Sequence, residues 1–314
     1  MKYLARRLLH SLFLLAGVSV LSFVFADLAP GDYYSALRAD PSISQETIDQ
    51  LRIRYGLDRP LPVRYGNWVR SVLRGDFGYS LTYDGPVAPL LWPRIRATLL
   101  LTGTATLLAW LTAVPFGVWN AAQRGTWRDG LARFAVGLLL TIPDLLIAIV
   151  LLLAAVESGW FPTGGMESPG VSSMRDVAWH LVLPVLVLTL GLFPVLVRHV
   201  RASIVEAMDA PFSVSAQAHG IPRWRLFYRH LLPAAVHPLI ALFGLSLGTL
   251  LSASLLIEVV MGWPGLGPLF LDAILARDFA VVLAVILLST TLLVLGNLVA
   301  DLLLYRFDPR IRVR

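Results

Sequence analysis

The chain has 314 residues, of which 57% are hydrophobic, compared with about 45–50% in soluble globular domains, so its composition indicates an integral membrane protein. It has no cysteine and a net charge of +6, which excludes disulfides, thiolate metal sites and cysteine nucleophiles. Its one lysine, Lys2, has no Gly-x-x-x-x-Gly-Lys-Ser/Thr context, so the chain is not a P-loop ATPase and any use of ATP requires a partner.

All but one of the 26 basic residues are arginine, and they concentrate beside apolar segments, where basic residues report membrane topology rather than nucleic-acid binding. The histidines form no His-Glu-x-x-His pair. His199 and His230 lie among arginines that would repel a cation. We therefore expect no nucleic-acid surface, no metal site and no cofactor bound by this chain.

Six apolar segments have about the 20 residues needed to cross the hydrocarbon core of a bilayer. The sequence therefore predicts an all-α integral membrane protein with six transmembrane helices. In chain order the predicted spans are Leu8–Leu28, Thr98–Ala121, Leu131–Val156, Ala178–Val197, Leu239–Met261 and Val281–Tyr305.

The loops on one side of these spans hold most of the arginines, and the short loops on the other side hold only Arg175 and Arg277. By the positive-inside rule, the Arg-rich side and both termini face the cytoplasm. Arg6-Arg7 also resembles the start of a signal peptide. The apolar run after it is too long for a signal core and lacks a small-residue cleavage site, which favours an uncleaved N-terminal span over residues 1–28.

Residues 29–96 are not apolar enough to span the membrane and are predicted to form an extracytoplasmic helical segment. Ser44-x-x-Thr47 opens an amphipathic helix that Gly56 ends, and Pro60–Leu73 forms a second helix. This segment either closes a pathway or contacts an external partner; the alternative is a folded spacer without contacts.

Asp144 follows Pro143 inside the third predicted span. A carboxylate at that depth costs at least about 2.5–3.5 kcal/mol if it faces lipid, so it faces the bundle interior or water. Asp144 is therefore a candidate lining residue of a solute pathway, able to attract an amine or a cation. The alternative is a carboxylate that is bonded to a neighbouring helix.

The polar loop 198–238 lies between the fourth and fifth spans and has helical periodicity with its own breakers. Arg198–Met208 is predicted to extend the fourth helix, which Pro211 ends. Phe212–His219 forms a short helix that Gly220 stops. A short crosswise helix on the cytoplasmic side is suited to docking into a groove of another protein.

Gly244-Leu245-Ser246-Leu247-Gly248 matches the Gly-x-Ser-x-Gly pattern of hydrolases, but it lies mid-span with no strand before it. Gly244, Gly248 and Ser252 recur every four residues, which favours close helix packing. Further along, Glu258 is expected to be structural. The Trp263–Gly267 turn is expected at the outer membrane interface, with Trp263 as its anchor. It either re-enters the membrane edge or shapes an outer gate, or it is a plain interfacial turn.

The loop resembles the Glu-Ala-Ala motif of ABC importer permeases: Ala216, Gly220, Leu232 and Pro233 occupy matching positions. Three positions depart from the motif, and these are Val214, Ser215 and His230. Further landmarks are similar, in order, to the dipeptide/oligopeptide/nickel permease family of the DppB/OppB-like type. They are Pro30-Gly31-Asp32, the runs 55–60 and 75–80, Glu258 with 263–267, Arg277-Asp278 and the run 308–312.

The resemblance implies the fold of a type I ABC importer permease, in a bacterial or archaeal cytoplasmic membrane. It divides the chain into the first helix, the segment 29–96, a core permease domain 97–305 and a cytoplasmic tail 306–314. It implies three kinds of partner besides the lipid bilayer: a second homologous permease, two cytoplasmic ABC ATPase subunits that bind ATP and Mg²⁺, and an extracytoplasmic solute-binding protein. The chain itself would not be an enzyme.

The resemblance also implies that a coupling helix in this loop docks into the ATPase, with Leu232 and Pro233 supporting the loop. The implied coupling residues are Val214, Ser215, Ala216, Gln217, Ala218, His219 and Gly220. Two other hypotheses remain. A self-sufficient secondary transporter would need inverted repeats, which the two halves do not show. An intramembrane hydrolase would use Ser246.

Overall fold

The computed structural model describes residues 2–28, 59–80, 82–171 and 173–307, and these are almost entirely helical. The predicted amphipathic helix that begins at Ser44 and the tail beyond residue 307 lie outside the described residues. The described elements are α1 (Lys2–Leu28), α2 (Leu61–Val72), β1 (Tyr79–Ser80), β2 (Gly85–Pro86), α3 (Val87–Ala122), α4 (Trp127–Thr141), α5 (Asp144–Ser158), α6 (Met174–Asp209), α7 (Pro211–Ala218), α8 (Arg223–Leu226), a π-helical turn (Phe227–Leu231), α9 (Leu232–Val260), α10 (Leu266–Leu275) and α11 (Phe279–Phe307).

The two longest helices, α3 and α6, have 36 residues each. At 1.5 Å per residue each is roughly 54 Å long, which exceeds the hydrocarbon thickness of about 30 Å. Small side chains let them pack closely. A fully buried row on α3 recurs every four residues and consists of Ala97, Leu101, Ala105, Ala109 and Ala113. Thr189 of α6 reaches the carbonyl of Ala105 at 3.5 Å, so the centre of the bundle lies between these helices.

The third predicted span, 131–156, is wrong as a single helix. The structure has two helices there, α4 and α5, with an angle of 90° between them. Ile142 at the break has extended backbone dihedrals (φ −86°, ψ 120°), because a residue before proline is disfavoured in the helical region. Asp144 is consequently the first residue of α5 rather than a residue inside a straight helix.

Among the described residues, five helices are long and apolar enough to cross a membrane, and the bent pair α4–α5 is a sixth crossing if it counts as one span. This confirms the predicted all-α class with up to six spans. Both the start of α1 and the end of α11 lie toward the same end of the bundle, where Arg7 and Asp301 form an ion pair at 3.4 Å.

The opposite end of the bundle carries α2 and a two-stranded antiparallel hairpin in which Tyr79 pairs with Pro86. α2 confirms the predicted second helix of the 29–96 segment. Its Tyr65 bonds Ser19 of α1 at 2.8 Å and stacks edge-on against Phe23. We call this end of the bundle the hairpin end, and the other the α7 end.

Candidate functional site

The predicted short helix in the loop after α6 is confirmed as α7. Pro211 is its first residue, and Ala210 before it is extended (φ −69°, ψ 145°), as expected of a residue that precedes proline. His219 caps the helix, and Gly220 has a φ of +74°, a left-handed conformation that favours glycine. The two breakers fix α7 as a separate element at the end of α6.

One side of α7 packs against the rest of the protein. Ser213 is fully buried and Ala216 is half-buried. Ala216 packs on a small apolar core built around Ala207, Leu226 and Leu231. This core joins the end of α6, α8 and the π-helical turn, so α7 has a firm base.

The other side of α7 is exposed, and it includes two apolar side chains, Phe212 (44% exposed) and Val214 (59% exposed). Most of the residues that the sequence assigned to coupling lie on this side. They are Val214, Ser215, Gln217, Ala218, His219 and Gly220, with Ala216 on the packed side. A short helix with an exposed face and a packed face can dock into a groove without unfolding its own support.

The two residues that the sequence assigned to loop support have different surroundings. Leu232 is half-buried and packs on a cluster around Val200 and Ile204, while Pro233 is exposed near the start of α9. Leu226 and Leu231 are the buried residues beneath α7. Sequence analysis missed them because their spacing of five suits a π-helical turn rather than the three- and four-residue spacing of an α-helix.

Two ion pairs attach the α3–α4 turn to α6 close to α7, and sequence analysis missed both. Asp129 of α4 is 2% exposed and accepts from Arg201 Nε at 2.9 Å and Arg201 Nη2 at 3.0 Å. Arg124 donates to both carboxylate oxygens of Asp209, at 2.7 and 2.8 Å. The hydrogen bond to Asp209 and its negative charge raise the pKa of the exposed Arg124 guanidinium.

Asp144 is half-buried, and its carboxylate lies directly against Gly191 of α6, where an added Cβ would be 2.8 Å from Asp144 Cγ. The structure gives it no hydrogen bond or ion pair with the described residues. The anticipated bond to a neighbouring helix is thus not formed among them. The lining role of Asp144 stays a prediction.

Gly244 and Gly248 are buried on the face of α9 that meets α11. A Cβ on Gly244 would clash with Ala300, and one on Gly248 would touch Leu293 at 3.5 Å. Ser252, the third residue of the predicted packing row, is exposed and bonds to its own helix at Gly248 O, 3.2 Å away.

Ser246 lies in the uninterrupted helix α9 and is 3% exposed. Its hydroxyl donates to Phe243 O at 2.7 Å and accepts from Trp110 Nε1 at 3.2 Å. Both contacts are structural, and the strand-turn-helix context of a nucleophile elbow is absent from this described stretch.

The expectation that Trp263 anchors at the membrane interface is wrong, because its indole is 1% exposed and donates to Ala97 O of α3 at 3.0 Å. Glu258, fully buried, accepts from the backbone N–H of Gly267 at 2.7 Å near the start of α10. The Trp263–Gly267 turn is therefore packed inside the bundle. Within the described residues, no group of three or more His, Asp or Glu side chains is placed to hold a metal ion.

Comparisons with known proteins agree along the whole chain. The family described as "Binding-protein-dependent transport system inner membrane component" matches residues 113–313, and its N-terminal counterpart matches residues 1–102. The oligopeptide transport system permease protein AppB of Bacillus subtilis is 37% identical over 312 residues, covering 98% of each chain. The glutathione transport system permease protein GsiC of Salmonella typhimurium is 33% identical over 316 residues, covering 100% of each chain.

Among solved structures, a chain of the MetNI methionine ABC transporter in an inward-facing conformation superposes with a TM-score of 0.57 at 20% identity. The match covers 70% of this chain and 96% of that one. It establishes a shared fold, that of a type I importer permease.

Proposed function

Because the chain belongs to the family of binding-protein-dependent transport system inner membrane components and is a permease subunit of an ATP-driven importer, we propose that it forms half of a membrane pathway for peptides or related small solutes. A second, homologous permease supplies the other half. Two cytoplasmic ABC ATPase subunits bind ATP and Mg²⁺, and an external solute-binding protein delivers the solute. This chain performs no covalent chemistry.

The observation that carries the proposal is the form of α7: a short helix with an exposed apolar side, seated on its own core at the end of a long helix. A partner whose groove binds such an element can displace it together with α6. The packed base keeps α7 folded while it is displaced. Val214 stands where the motif has glutamate, so the contact at that position is apolar.

The direction of the helices supports the topology. The ends of α3 and α6 lie together at the α7 end, as the Arg124–Asp209 pair shows. The start of α1 and the end of α11 also lie toward this end of the bundle. The positive-inside rule then places this end, and both termini, in the cytoplasm. The ATPases therefore meet α7 on the side where ATP is available.

The solute class follows from the relatives, one named for oligopeptides and another for glutathione, itself a short peptide. We assign the same class to this chain. Asp144 is the residue of the pathway wall that we propose attracts the amino group of such a solute, since its carboxylate has no partner among the described residues.

The test is to change the exposed side of α7 without touching its base. Val214→Asp replaces a 59% exposed side chain, and Val171→Asp, at a 47% exposed loop position near the hairpin end, is the matched control. The permease is purified with the ATPases that co-purify with it and placed in lipid vesicles. Val214→Asp is expected to abolish ATP-driven uptake and solute-stimulated hydrolysis, and the control to retain both.

A second matched pair tests the turn. Gly220→Val and Gly170→Val both place a β-branched residue in a left-handed conformation with open space around it (φ +74° and +78°). Only the first is expected to uncouple hydrolysis from uptake. Normal coupling in both α7 variants, or uptake by the purified chain without ATPases, would overturn the proposal in favour of a self-sufficient transporter.

A further inference from the structure

We propose that the buried ion pair between Asp129 and Arg201 is a joint that makes the bent span α4–α5 follow α7. Both are positioning residues for transport. The inference rests on the proposed function, because it takes α7 to be the element that the ATPases move. It adds the route by which that movement reaches the third span and Asp144.

Asp129 is held from several sides at once. Besides the two bonds from Arg201, its carboxylate accepts from the backbone N–H of Gly125 at 3.4 Å and pairs with Arg133 at 3.5 Å. Its own N–H donates to Thr126 Oγ1 at 3.4 Å, the cap of α4. The first turn of α4 is therefore attached to α6 by the Asp129 side chain, whose carboxylate is held in one orientation by these contacts.

The Arg124–Asp209 pair makes a second attachment with the charges reversed. Here the turn contributes the arginine and α6 contributes the carboxylate, one residue before Ala210 and α7. Eight residues separate Arg201 from Asp209, which is about 12 Å along the helix. Two attachments at that spacing prevent the turn from pivoting about either one.

The two pairs differ in strength. Asp129 is 2% exposed and Arg201 is 21% exposed, while Arg124 and Asp209 are 46% and 61% exposed. An exposed pair contributes little because water and salt screen it. Removing one partner of a buried pair leaves an uncompensated buried charge, so separating Asp129 from Arg201 costs more free energy than separating an exposed pair. The Asp129–Arg201 pair is thus the joint that stays closed. The exposed Arg124–Asp209 pair only adds to it.

A further contact, between Asp144 and α6, holds the other end of α4. At the other end of α4 the chain turns through 90° and places Asp144 against Gly191 of α6. Gly191 and Arg201 are ten residues apart, about 15 Å along α6, and α4 spans the distance between the two contacts. With α6 as one side, α4 is braced at both ends. A displacement of α7 that moves α6 therefore carries α4 and Asp144 with it.

The first experiment measures the ratio of ATP hydrolysed to solute transported. Asp129→Asn keeps the shape of the side chain and leaves the backbone N–H that donates to the cap residue Thr126, but it removes the charge. It is expected to raise the ATP:solute ratio about tenfold, the size of effect seen for residues that carry coupling, with assembly and basal hydrolysis retained. Arg124→Ala is expected to change it less than about twofold because its pair is exposed.

The matched control is Asp301→Asn, which breaks the Arg7–Asp301 pair between α1 and α11 at the same end of the bundle. A wild-type ratio is expected there. An unchanged ratio in assembled Asp129→Asn, or an equal rise in the Asp301→Asn control, would overturn the assignment of the joint.

The second experiment needs no disruptive variant. The chain has no cysteine, so spin labels attach to it only at introduced ones, and it is labelled before it is assembled with its partners. Ala202→Cys on α6 is paired with Phe134→Cys on α4 and, separately, with Leu302→Cys on α11; all three positions are exposed. Distances are measured by pulsed electron paramagnetic resonance in the assembled transporter, with and without ATP.

The 134–202 distance is expected to stay constant to within about 2 Å between states while the 202–302 distance changes by more than that. If both distances change, α4 does not follow α6, and the joint is wrong while the proposed function stands. If neither changes, α4, α6 and α11 move as one body and no separate joint is needed, so the joint is wrong while the proposed function stands. A wild-type transporter that takes up no solute on addition of ATP would refute the proposed function instead.

Discussion

Gly117 of α3 lies so close to Val200 of α6 that a Cβ on the glycine would be 2.8 Å from both Val200 Cβ and Val200 Cγ1. The contact occurs near the α7 end of the two helices that form the centre of the bundle. It sets how closely the helices approach at the level of the Asp129–Arg201 pair, since Arg201 is the next residue along α6. A glycine at position 117 thus lets α3 lie close to α6 beside the Asp129–Arg201 pair.

Gly117→Val is expected to lower the stability of the protein by about 1–3 kcal/mol, the usual effect of overpacking a well-packed core. Gly103→Val on the same helix is the control, because an added Cβ there meets nothing within 4 Å. Thermal unfolding in detergent measures both. Equal melting temperatures for the two variants would show that α3 and α6 can separate freely. Val200→Ala in the Gly117→Val background is expected to restore part of the stability that Gly117→Val loses, because it removes Val200 Cγ1, one of the two side-chain atoms nearest to the added Cβ.

Asp278→Asn is expected to loosen the hairpin at the other end of the bundle. The buried Asp278 carboxylate accepts from Ser80 Oγ at 2.6 Å, Thr82 N at 3.2 Å and Val281 N at 3.3 Å. An amide must direct its NH₂ group toward one of these donors, which costs about 1–3 kcal/mol when the group is buried. Faster hydrogen exchange of the hairpin amides is the expected signal.

The control for this change is Asp84→Asn in the same hairpin. Asp84 is exposed, accepts from Tyr79 Oη at 2.7 Å and has a φ of 47°, which asparagine tolerates. Exchange rates close to wild type are expected for it. Unaltered protection in Asp278→Asn would mean that the hairpin is held by packing alone.

Ser246→Ala is expected to leave uptake within about twofold of wild type, because the hydroxyl bonds Phe243 O and Trp110 Nε1 and its loss costs only about 1 kcal/mol of stability. Ser254→Ala is the matched control on α9, fully buried and bonded to Leu251 O of its own helix. A fluorophosphonate probe should label neither serine. Covalent labelling of Ser246 would revive the hydrolase hypothesis.

Asp144→Asn is expected to slow uptake of a peptide with a free amino terminus about fivefold, and to leave an N-acetylated peptide unaffected. The factor corresponds to about 1 kcal/mol for one charge contact in a wet pathway. Glu157→Gln, an exposed carboxylate near the other end of α5, is the control. The measurement is the initial rate of uptake of each peptide into vesicles. If Asp144→Asn slows both peptides equally, Asp144 does not recognise the amino group of the solute.

Much of the fold is readable from local patterns. The apolar lengths that predicted the spans correspond to α1, α3, α6, α9 and α11, because length and hydrophobicity are properties of a continuous segment. The short helix α7 is readable for the same reason, since Pro211 and Gly220 act on their immediate neighbours. Pro143 carried the same kind of signal for the bend between α4 and α5, and an apolar run on both sides concealed it.

The burial of Trp263 is an example of what local sequence patterns do not predict. A tryptophan beside glycine and proline at a span end is typical of a membrane interface, but α3 supplies a carbonyl, at Ala97, that draws its indole into the bundle. Nothing within ten residues of Trp263 contains that information. The same holds for Leu226 and Leu231 beneath α7, whose burial depends on a π-helical turn.

The sequence by itself determined which segments are long and apolar enough to enter the membrane and where the short helix α7 begins and ends. Only the tertiary structure decided which charges meet. Asp129 and Arg201 are 72 residues apart, and their contact exists because α4 turns back across α6. The hydrophobicity of a span is summed over consecutive residues, so it can be read along the chain. An ion pair instead depends on two distant positions and on the angle between their helices.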